Sequence, residues 1–372
     1  MNFIEVLKLY DWEEITHSIY KKGRADVLKA LNSNKPDLED FKALISPAAE
    51  ECIEKLAQSS HYKTSKRFGK TIQLYIPLYL SNECTNQCVY CGFNTCNTID
   101  RKTLTPEEIV TEAKAIKNLG YEHLLLVTGE SPRKVDIDYF LKAIRLLKPH
   151  FSLISMEVQP LKAEEYKALI KEGLHSVYIY QETYNQSNYR TYHPKGKKSD
   201  FEYRLNTPGR LGEAGIYKTG IGCLLGLEDW RTDSFFTALH LKYLQKQYWR
   251  GKYSISFPRL RPHVGNYQPQ HPITDKQLVQ LISAYRILDE DVELSMSVRE
   301  SRKFRDNIVK LGITSISAGS STRPGGYADK SDSLEQFEVH DNRTPAEVAK
   351  MIQSQGYEAV WKDWDLYLQN KS

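Results

Sequence analysis

The chain has 372 residues, which corresponds to two or three domains of ordinary size or to one large barrel with extensions. Hydrophobic residues make up 40% and charged residues 26%, a globular composition that excludes a disordered or collagen-like chain. The net charge of +4 is small and spread along the sequence, which argues against a nucleic-acid partner.

The N-terminal segment, residues 1–70, has the apolar periodicity of helices and is predicted to form a helical extension. Its first residues lack the pattern of a signal or transit peptide. No apolar run in the chain approaches the roughly 18 residues of a membrane helix. We therefore expect a cytoplasmic protein that contacts no membrane.

From residue 71 onward a unit recurs, in which an amphipathic helix and a glycine precede a short apolar strand. The glycines are expected at helix C-termini, where a residue that tolerates positive φ is needed; they are Gly120, Gly173, Gly215 and Gly312. Thr105, Pro106 and Glu108 form a helix-start signature with a capping box. Eight strands are predicted, near 71–80, 121–130, 151–158, 174–182, 216–226, 252–257, 291–296 and 313–320.

Strands that alternate with helices favour a parallel sheet with right-handed connections. The segment 71–325 has about the 250 residues typical of a (β/α)₈ TIM-type barrel, which is the predicted fold. A doubly wound open sheet is the competing fold, but no G-x-G-x-x-G follows the first strand. Residues 326–372 are predicted to form a C-terminal extension packed on the barrel.

Three cysteines follow the first strand with the spacing C-x₃-C-x₂-C, at Cys84, Cys88 and Cys91. A long chain without a secretion signal does not use such a cluster for disulfides, and thiolates are suited to iron–sulfur clusters or zinc. A closed zinc site needs a fourth ligand, and no second cysteine pair accompanies the nearby Cys96. Three cysteines can hold three irons of a [4Fe–4S] cluster and leave the fourth iron open. Zinc and an electron-transfer cluster with a remote fourth ligand remain alternatives.

With an aromatic residue, Tyr90, before the last cysteine, this motif resembles the hallmark of the radical S-adenosylmethionine (SAM) superfamily. The resemblance implies that the open iron binds the amino and carboxylate groups of SAM. One electron from the cluster then cleaves the S–C5′ bond, which gives methionine and a 5′-deoxyadenosyl radical that abstracts hydrogen from the substrate. The protein would contribute positioning and exclusion of water.

Longer stretches between about residues 11 and 368 resemble the tyrosine lyase family of thiamine biosynthesis, the 2-iminoacetate synthases. They are YIPLYLSNECTNQCVYCGF, HLLLVTGE, MEVQPL, YQETY, SISFPRLRP, SVRES, PGGYAD and VWKDWD. The resemblance implies scission of the Cα–Cβ bond of L-tyrosine, which yields 2-iminoacetate and p-cresol. It also implies thiazole synthase as an acceptor partner and a flavodoxin- or ferredoxin-type reductant.

Other functions remain open from the sequence. The related enzyme of [FeFe] hydrogenase maturation carries a second cysteine cluster in a C-terminal extension, whereas the last cysteine here is Cys223. A tryptophan lyase is more distant, and no residue by itself selects tyrosine over tryptophan. A non-catalytic iron–sulfur electron carrier would not need the polar residues found at several strand ends.

The active site of such a barrel forms at the C-terminal ends of the strands, and the resemblance assigns roles to residues there. SAM contacts are expected from Tyr90, Thr128, Gly129, Glu130, Glu157, Gln181, Arg204 and Leu225. Substrate contacts are expected from Gln159, Glu182, Ser297, Arg299 and Ser320. Glu157 suits either SAM ribose or substrate, and its alternation with Gln159 predicts that both face the barrel interior.

Arg299 is predicted to bind the substrate carboxylate, because an arginine fork matches a carboxylate in bidentate fashion. The alternative for Arg299 is an ion pair with Glu300, and Arg259 or Arg261 can compete for the carboxylate. The basic run 195–198 is predicted to be a solvated loop.

Overall fold

Eight parallel strands form a closed barrel in the computed structural model, which describes residues 2–263, 265, 267–328 and 335–362. Each strand pairs with the next, and β8 pairs with β1. The (β/α)₈ prediction is therefore confirmed, and all eight predicted strands form. Their bounds are β1 Thr71–Ser81, β2 His123–Thr128, β3 Leu153–Glu157, β4 Leu174–Tyr178, β5 Lys218–Ile221, β6 Lys252–Ser256, β7 Glu293–Met296 and β8 Ser315–Ser317.

Helices alternate with the strands of the barrel, and further helices precede it. The helices that precede the barrel are α1 Phe3–Leu7, α2 Trp12–Tyr20, α3 Arg24–Leu31, α4 Leu38–Leu44 and α5 Ile53–Phe68. Those within and after it are α6 Pro106–Asn118, α7 Ile137–Leu147, α8 Ala163–Glu172, α9 Tyr189–Tyr192, α10 Phe201–Leu205, α11 Thr207–Ala214, α12 Trp230–Gln247, α13 Asp275–Leu288, α14 Arg302–Ile308 and α15 Pro345–Ser354. Within the described ranges, none of these helices is long and apolar enough to cross a membrane.

The predicted helix start at residue 105 is confirmed, since the Thr105 side chain accepts from the Glu108 amide and Glu108 accepts from the Thr105 amide. Gly173 has a φ of 119° after α8, as its predicted position at a helix C-terminus requires. The prediction was wrong for Gly312, whose φ is not positive. This glycine instead allows close packing, because a Cβ there would lie 3.0 Å from the Ser60 Oγ.

The N-terminal helices pack on α12 and α13 of the barrel. Phe3 stacks on His240 with a ring separation of 3.7 Å, and Trp12 stacks on Phe236. Gln280 on α13 donates hydrogen bonds to the carbonyls of Leu44 and Ser46. The extension therefore shares its core with the barrel.

The C-terminal segment also packs on the barrel, and it contributes a strand that the sequence analysis did not predict. Strand β9, Glu358–Val360, pairs in parallel with the first residues of β1. Residues 329–334 and 363–372 of the predicted extension lie outside the described part of the chain. The division of the chain at residues 70 and 325 stays a prediction.

Two glycines of the fifth barrel strand and its continuation make room for tyrosine rings in the barrel interior. A Cβ on Gly220 would lie 2.0 Å from Cδ1 of Tyr178. A Cβ on Gly222 would lie 2.8 Å from the Ser256 carbonyl oxygen and 3.3 Å from Cδ1 of Tyr180. Both tyrosines line a cavity at the C-terminal ends of the strands. The glycines therefore shape the floor of that cavity.

Replacing Gly220 by alanine is expected to lower the free energy of unfolding by about 1–3 kcal/mol, because the new methyl group overlaps the Tyr178 ring. Thermal or urea unfolding of the variant measures this loss. Gly209→Ala is the control, since the nearest atom to a Cβ there is 3.7 Å away and alanine favours the helix α11. Equal stability of the two variants would contradict the predicted overlap.

Candidate active site

One deep cavity opens at the C-terminal ends of the barrel strands, where the fold places active sites. It is lined by the loops after all eight strands and by side chains within every strand except β5. Two residues of the C-terminal segment, Gln336 and Phe337, complete the wall.

The three cysteines of the C-x₃-C-x₂-C motif lie on the loop after β1, and all three line this cavity. The loop is fixed by hydrogen bonds to its carbonyl groups, because Asn94 donates to Cys88 O at 3.0 Å and Arg101 donates to Phe93 O at 2.9 Å. Gln336 donates to the Cys91 sulfur at 3.7 Å, so the C-terminal segment holds the loop from the other side.

Burial is the main cause that raises the pKa of the Cys84 and Cys88 thiols. These two side chains are thus neutral thiols in the metal-free chain at neutral pH. Metal binding has to displace their protons, since thiolates are the ligands.

Beside the cysteines, two carboxylates and two cations form a buried ion-pair network. Arg204 binds Glu130 at 2.7 Å, and Lys198 binds Glu182 at 2.7 Å. Asn86 joins the two pairs, because it donates to Glu130 at 2.8 Å and accepts from the Lys198 amide at 3.0 Å. Although burial opposes ionisation, the Arg204 charge lowers the pKa of Glu130, which stays a carboxylate.

Tyr90 also lines the cavity, with the Lys198 ammonium 5.7 Å from its ring centre. Its hydroxyl lies 2.7 Å from Nε2 of His193, while Nδ1 of that ring lies 2.8 Å from the Tyr189 carbonyl. Burial lowers the pKa of His193 well below its usual range, so the neutral imidazole donates from Nδ1 and accepts from Tyr90.

The opposite wall of the cavity carries Arg299, Ser297 and Ser320. The Arg299 guanidinium lies 3.4 Å from the ring centre of Phe337 and forms no ion pair with a carboxylate of the described residues. The Ser320 hydroxyl is buried and has no hydrogen-bond partner among the described residues. These groups are therefore available to a ligand.

The neighbours of Arg299 bear on the alternatives considered for it. Glu300 is 1% exposed and binds Arg259 and Arg261, so it does not pair with Arg299. Arg259 is occupied by Glu300 and Asp275. Among the three arginines, Arg299 alone lines the cavity without a carboxylate partner in the described part of the chain.

Two protein-family models match the chain. The Radical SAM superfamily matches residues 78–238, and the Biotin and Thiamin Synthesis associated domain matches residues 256–358. The 2-iminoacetate synthase of Escherichia coli (strain K12) is 51% identical over 359 residues, which cover 96% of this chain and 95% of that protein. The Salmonella typhimurium 2-iminoacetate synthase is 49% identical, with 98% and 97% coverage.

The chain belongs to the 2-iminoacetate synthase family of radical SAM enzymes.

Solved structures agree with this fold. The [FeFe]-hydrogenase maturase HydG superposes with a TM-score of 0.89 at 31% identity, over 94% of this chain and 80% of that one. HydG from Carboxydothermus hydrogenoformans gives a TM-score of 0.85 at 32% identity. Family membership makes the chain a radical SAM carbon–carbon lyase, a class that uses a [4Fe–4S] cluster and SAM.

The structure brings most of the residues predicted for the site to the cavity wall. They are Cys84, Cys88, Tyr90, Cys91, Thr128, Gly129, Glu130, Glu157, Glu182, Arg204, Ser297, Arg299 and Ser320. Gly129 has to be glycine, because a Cβ there would lie 2.3 Å from the Glu83 carbonyl oxygen. Their individual roles stay predictions.

Three predicted residues do not line the cavity. Gln159 lies beyond the end of β3, where the alternation of side chains no longer holds, and it donates to the Val135 carbonyl at 2.6 Å. Gln181 is buried, with its amide group 3.4 Å from the Phe201 carbonyl. Leu225 packs in the main hydrophobic core, and its neighbour Leu224 lines the cavity instead.

The sequence analysis missed several groups of the site. The prediction of a solvated loop was wrong for Lys198, whose side chain is 12% exposed and lines the cavity. Asn86 lies within the cysteine motif, so its place in the loop was a usable signal. No pattern in the sequence indicated Gln336, which reaches the site from a distant segment.

The donor set of the cysteine loop fits an iron–sulfur cluster. Three thiols face one cavity, and soft thiolates are the usual ligands of such clusters. In the described part of the chain, no three His, Cys, Asp or Glu side chains converge so that they could hold a metal ion.

Glu157 is expected to make the protein less stable as the pH rises. Burial, opposed by the Arg299 charge, raises the pKa of this carboxyl to about 7 from 4.5. The folded chain therefore retains a proton that the unfolded chain has lost, and stability declines between pH 4.5 and 7. Glu157→Gln removes this decline, so the variant is expected to gain up to about 3 kcal/mol at pH 8 and almost nothing at pH 4.5.

Denaturant unfolding of both proteins at several pH values, without SAM or substrate, measures the difference. Effects of all other titrating groups cancel between the two proteins if they are independent of this residue. A gain that is the same at pH 4.5 and at pH 8 would contradict the titration of Glu157.

Proposed function

We propose that this cavity carries out the reaction of the family, the radical cleavage of the Cα–Cβ bond of L-tyrosine to 2-iminoacetate and p-cresol. SAM is consumed to 5′-deoxyadenosine and methionine, and 2-iminoacetate serves the thiazole moiety of thiamine. One observation supports this most strongly: the cysteine loop and the available Arg299 open onto the same cavity, with the Glu130–Arg204 pair beside the cysteines.

We propose that Cys84, Cys88 and Cys91 hold three irons of one [4Fe–4S] cluster and leave the fourth iron to SAM. When bound, the cluster and SAM together supply a one-electron cleavage that removes a hydrogen atom from the substrate. The chain fixes the cysteine loop through Asn94, Arg101 and Gln336. A rigid loop holds the reacting groups in one geometry.

The Glu130–Arg204 pair has the charges that the amino-acid end of SAM needs. Its ammonium group would bind Glu130 and its carboxylate Arg204, so each charge of the pair exchanges one partner for another. Asn86 keeps the Glu130 carboxylate in place, and the Tyr180 carbonyl accepts from Arg204 at 2.6 Å. Because these charges are already oriented and shielded from water, they bind the amino-acid end of SAM without a large rearrangement.

Arg299 is the proposed site of the tyrosine carboxylate, with Ser297 and Ser320 as hydroxyl donors beside it. The Phe337 ring under the guanidinium holds it in place and leaves its hydrogen-bonding edge free. Glu182 lies between Lys198 and Arg204, and its φ of 71° is strained for a residue other than glycine. That strain is typical of functional sites.

The proposed partners follow from the chemistry. 2-Iminoacetate hydrolyses readily, so direct transfer to thiazole synthase protects it. Cleavage of SAM requires a strong one-electron donor, for which a flavodoxin- or ferredoxin-type protein is proposed, in the cytoplasm. A pull-down under anaerobic conditions that shows no association with thiazole synthase would contradict the transfer.

An anaerobic product assay tests the function. The protein is reconstituted with iron and sulfide, reduced, and given SAM with L-tyrosine or L-tryptophan in separate reactions. p-Cresol, glyoxylate from hydrolysed 2-iminoacetate and 5′-deoxyadenosine are expected from tyrosine alone. 5′-Deoxyadenosine without p-cresol would retain the radical chemistry and reject the assigned bond or substrate.

Replacing Lys198 by methionine is expected to lower the free energy of unfolding by about 3 kcal/mol, because Glu182 loses its closest cation in a buried site. SAM binding is expected to weaken by roughly 10-fold, since Arg204 is then drawn toward Glu182. Unfolding experiments and calorimetric titration with SAM measure both effects. Lys195→Met, at an exposed position of the same loop, is the control.

A further inference from the structure

Glu157 is the one carboxylate of the cavity wall, among the described residues, that lacks a bonded cation. Glu130 and Glu182 each bind an arginine or lysine, whereas the Glu157 carboxylate takes part in no hydrogen bond or ion pair with the described residues. It projects from the end of β3 into the cavity. A partly buried carboxylate that lines a cavity and has no bonded cation is available to the positive charge of a ligand.

The nearest unused positive charge belongs to Arg299, which faces the same cavity. After burial, Arg299 has the largest influence of any group on the Glu157 carboxyl. The two groups nevertheless form no ion pair, and the Arg299 guanidinium rests on Phe337. A carboxylate and a guanidinium that face one space without touching are complementary to the two charges of an amino-acid zwitterion.

Resting on the proposed function, we propose that Glu157 binds the α-ammonium group of L-tyrosine and accepts a proton from it before the hydrogen atom is removed. Arg299 then binds the carboxylate of the same molecule. The sequence left Glu157 either to the SAM ribose or to the substrate, and this assignment selects the substrate.

The proton balance gives the reason for a base at this position. Transfer of one proton from the ammonium nitrogen to a Glu157 oxygen leaves a neutral amine with its two N–H bonds and a lone pair. Removal of one hydrogen atom from this nitrogen gives an aminyl radical. Homolysis of the Cα–Cβ bond then leaves HN=CH–COO⁻, which is 2-iminoacetate, and a 4-hydroxybenzyl radical. The same sequence from an ammonium group would give the iminium H₂N⁺=CH–COO⁻, which would have to lose the same proton later.

The surroundings of Glu157 suit this role. The charged groups that act on it are Arg299, Glu182, Lys198 and Arg204, and the tyrosines whose hydroxyls sense its charge are Tyr75, Tyr79, Tyr178 and Tyr180. Burial, followed by the Glu157 charge, raises the pKa of Tyr79 and Tyr180, so these hydroxyls stay neutral. The pKa of Glu157 of about 7 lies within range of proton exchange with an amine.

Three ligands distinguish how much each of the two charges of the substrate contributes to binding. L-Tyrosine carries both charges, 3-(4-hydroxyphenyl)propanoate lacks the ammonium group, and tyramine lacks the carboxylate. Their dissociation constants are measured anaerobically on the reconstituted, SAM-loaded enzyme without reductant, so that no turnover occurs. The proteins compared are the wild type, Glu157→Gln, Arg299→Met and the exposed control Glu164→Gln.

The wild type and Glu164→Gln are expected to bind tyrosine roughly 10- to 100-fold more tightly than 3-(4-hydroxyphenyl)propanoate. Glu157→Gln should bind tyrosine no more tightly than the propanoate, while its affinity for the propanoate stays that of the wild type. Arg299→Met should weaken the binding of both acids and keep the affinity for tyramine. Iron content and SAM affinity are checked for every variant, so that loss of the fold or the cluster is recognised.

Two outcomes would overturn the inference. One is that Glu157→Gln weakens the binding of SAM and changes the dissociation constants of tyrosine and the propanoate equally, which would assign Glu157 to SAM. The other is that the wild type shows no preference for tyrosine over the propanoate. Neither outcome depends on p-cresol formation, so a failure of the proposed function is recognised separately in the product assay.

The pH dependence of the single-turnover yield of p-cresol gives a second measurement. Wild-type yield is expected to fall toward low pH as Glu157 becomes protonated and loses its capacity to accept a proton. Glu157→Gln should give a low yield of p-cresol at every pH and lack this acidic limb. An acidic limb that persists unchanged in the variant would contradict proton transfer to Glu157.

Discussion

Replacement of Cys88 by alanine is expected to abolish both 5′-deoxyadenosine and p-cresol formation, a loss of at least about 10⁶-fold. Cys88 is 5% exposed at the cavity wall, between the other two cysteines of the loop. With the proposed set of three cysteine ligands, two thiolates do not hold the cluster, and without a cluster no electron reaches SAM. The fold should persist, because the loop is held by Asn94 and Arg101 through backbone carbonyls.

Iron content, the visible absorption of the cluster and electron paramagnetic resonance after reduction measure the effect on the metal centre. Cys96→Ala is the matched control, because Cys96 is exposed on the same loop and does not line the cavity. The control is expected to retain the cluster and activity. A full complement of iron in Cys88→Ala, or its loss in Cys96→Ala, would contradict the assignment of the ligands.

Much of the barrel could be predicted because the sequence patterns of its strands and helices are local. Apolar strands alternate with amphipathic helices, and Thr105, Pro106 and Gly173 mark where helices begin and end. Gly312 shows the limit of this approach. Its place between a helix and a strand matches the other glycines, but its reason is the close packing of Ser60 from a distant helix. A tertiary contact of this kind leaves no local pattern.

The same distinction applies to the site. Residues at the very ends of strands, such as Thr128 and Glu157, were predicted because parallel strands bring their C-terminal ends together. Gln159 lies two residues farther along, past the point where alternation applies. Lys198 belongs to a basic run that is typical of solvated loops, and the contact of this loop with Asn86 and the ion pair with Glu182 hold its side chain inward.

Arg299→Met is expected to lower kcat/KM for L-tyrosine by about 10²–10³-fold, the value of two charge-assisted hydrogen bonds to a carboxylate. The fold should lose only about 1 kcal/mol, because Arg299 has no carboxylate partner in the described chain and gives up its contact with Phe337. Methionine keeps much of the side-chain volume. Steady-state kinetics of p-cresol release and denaturant unfolding measure the two effects.

Loss of this arginine should also change the titration of the site in a defined direction. The Arg299 charge holds the pKa of Glu157 down, so in the variant that pKa rises and any acidic limb of the rate moves to higher pH. Arg299→Lys keeps the charge and should leave the limb in place, although it loses the bidentate fork and part of the affinity. Arg302→Met, at a residue with a 71% exposed side chain, controls for the removal of a positive charge nearby. If Arg299→Met left the KM for tyrosine unchanged, the carboxylate would have to bind elsewhere, and Arg261 is the other arginine at the cavity wall.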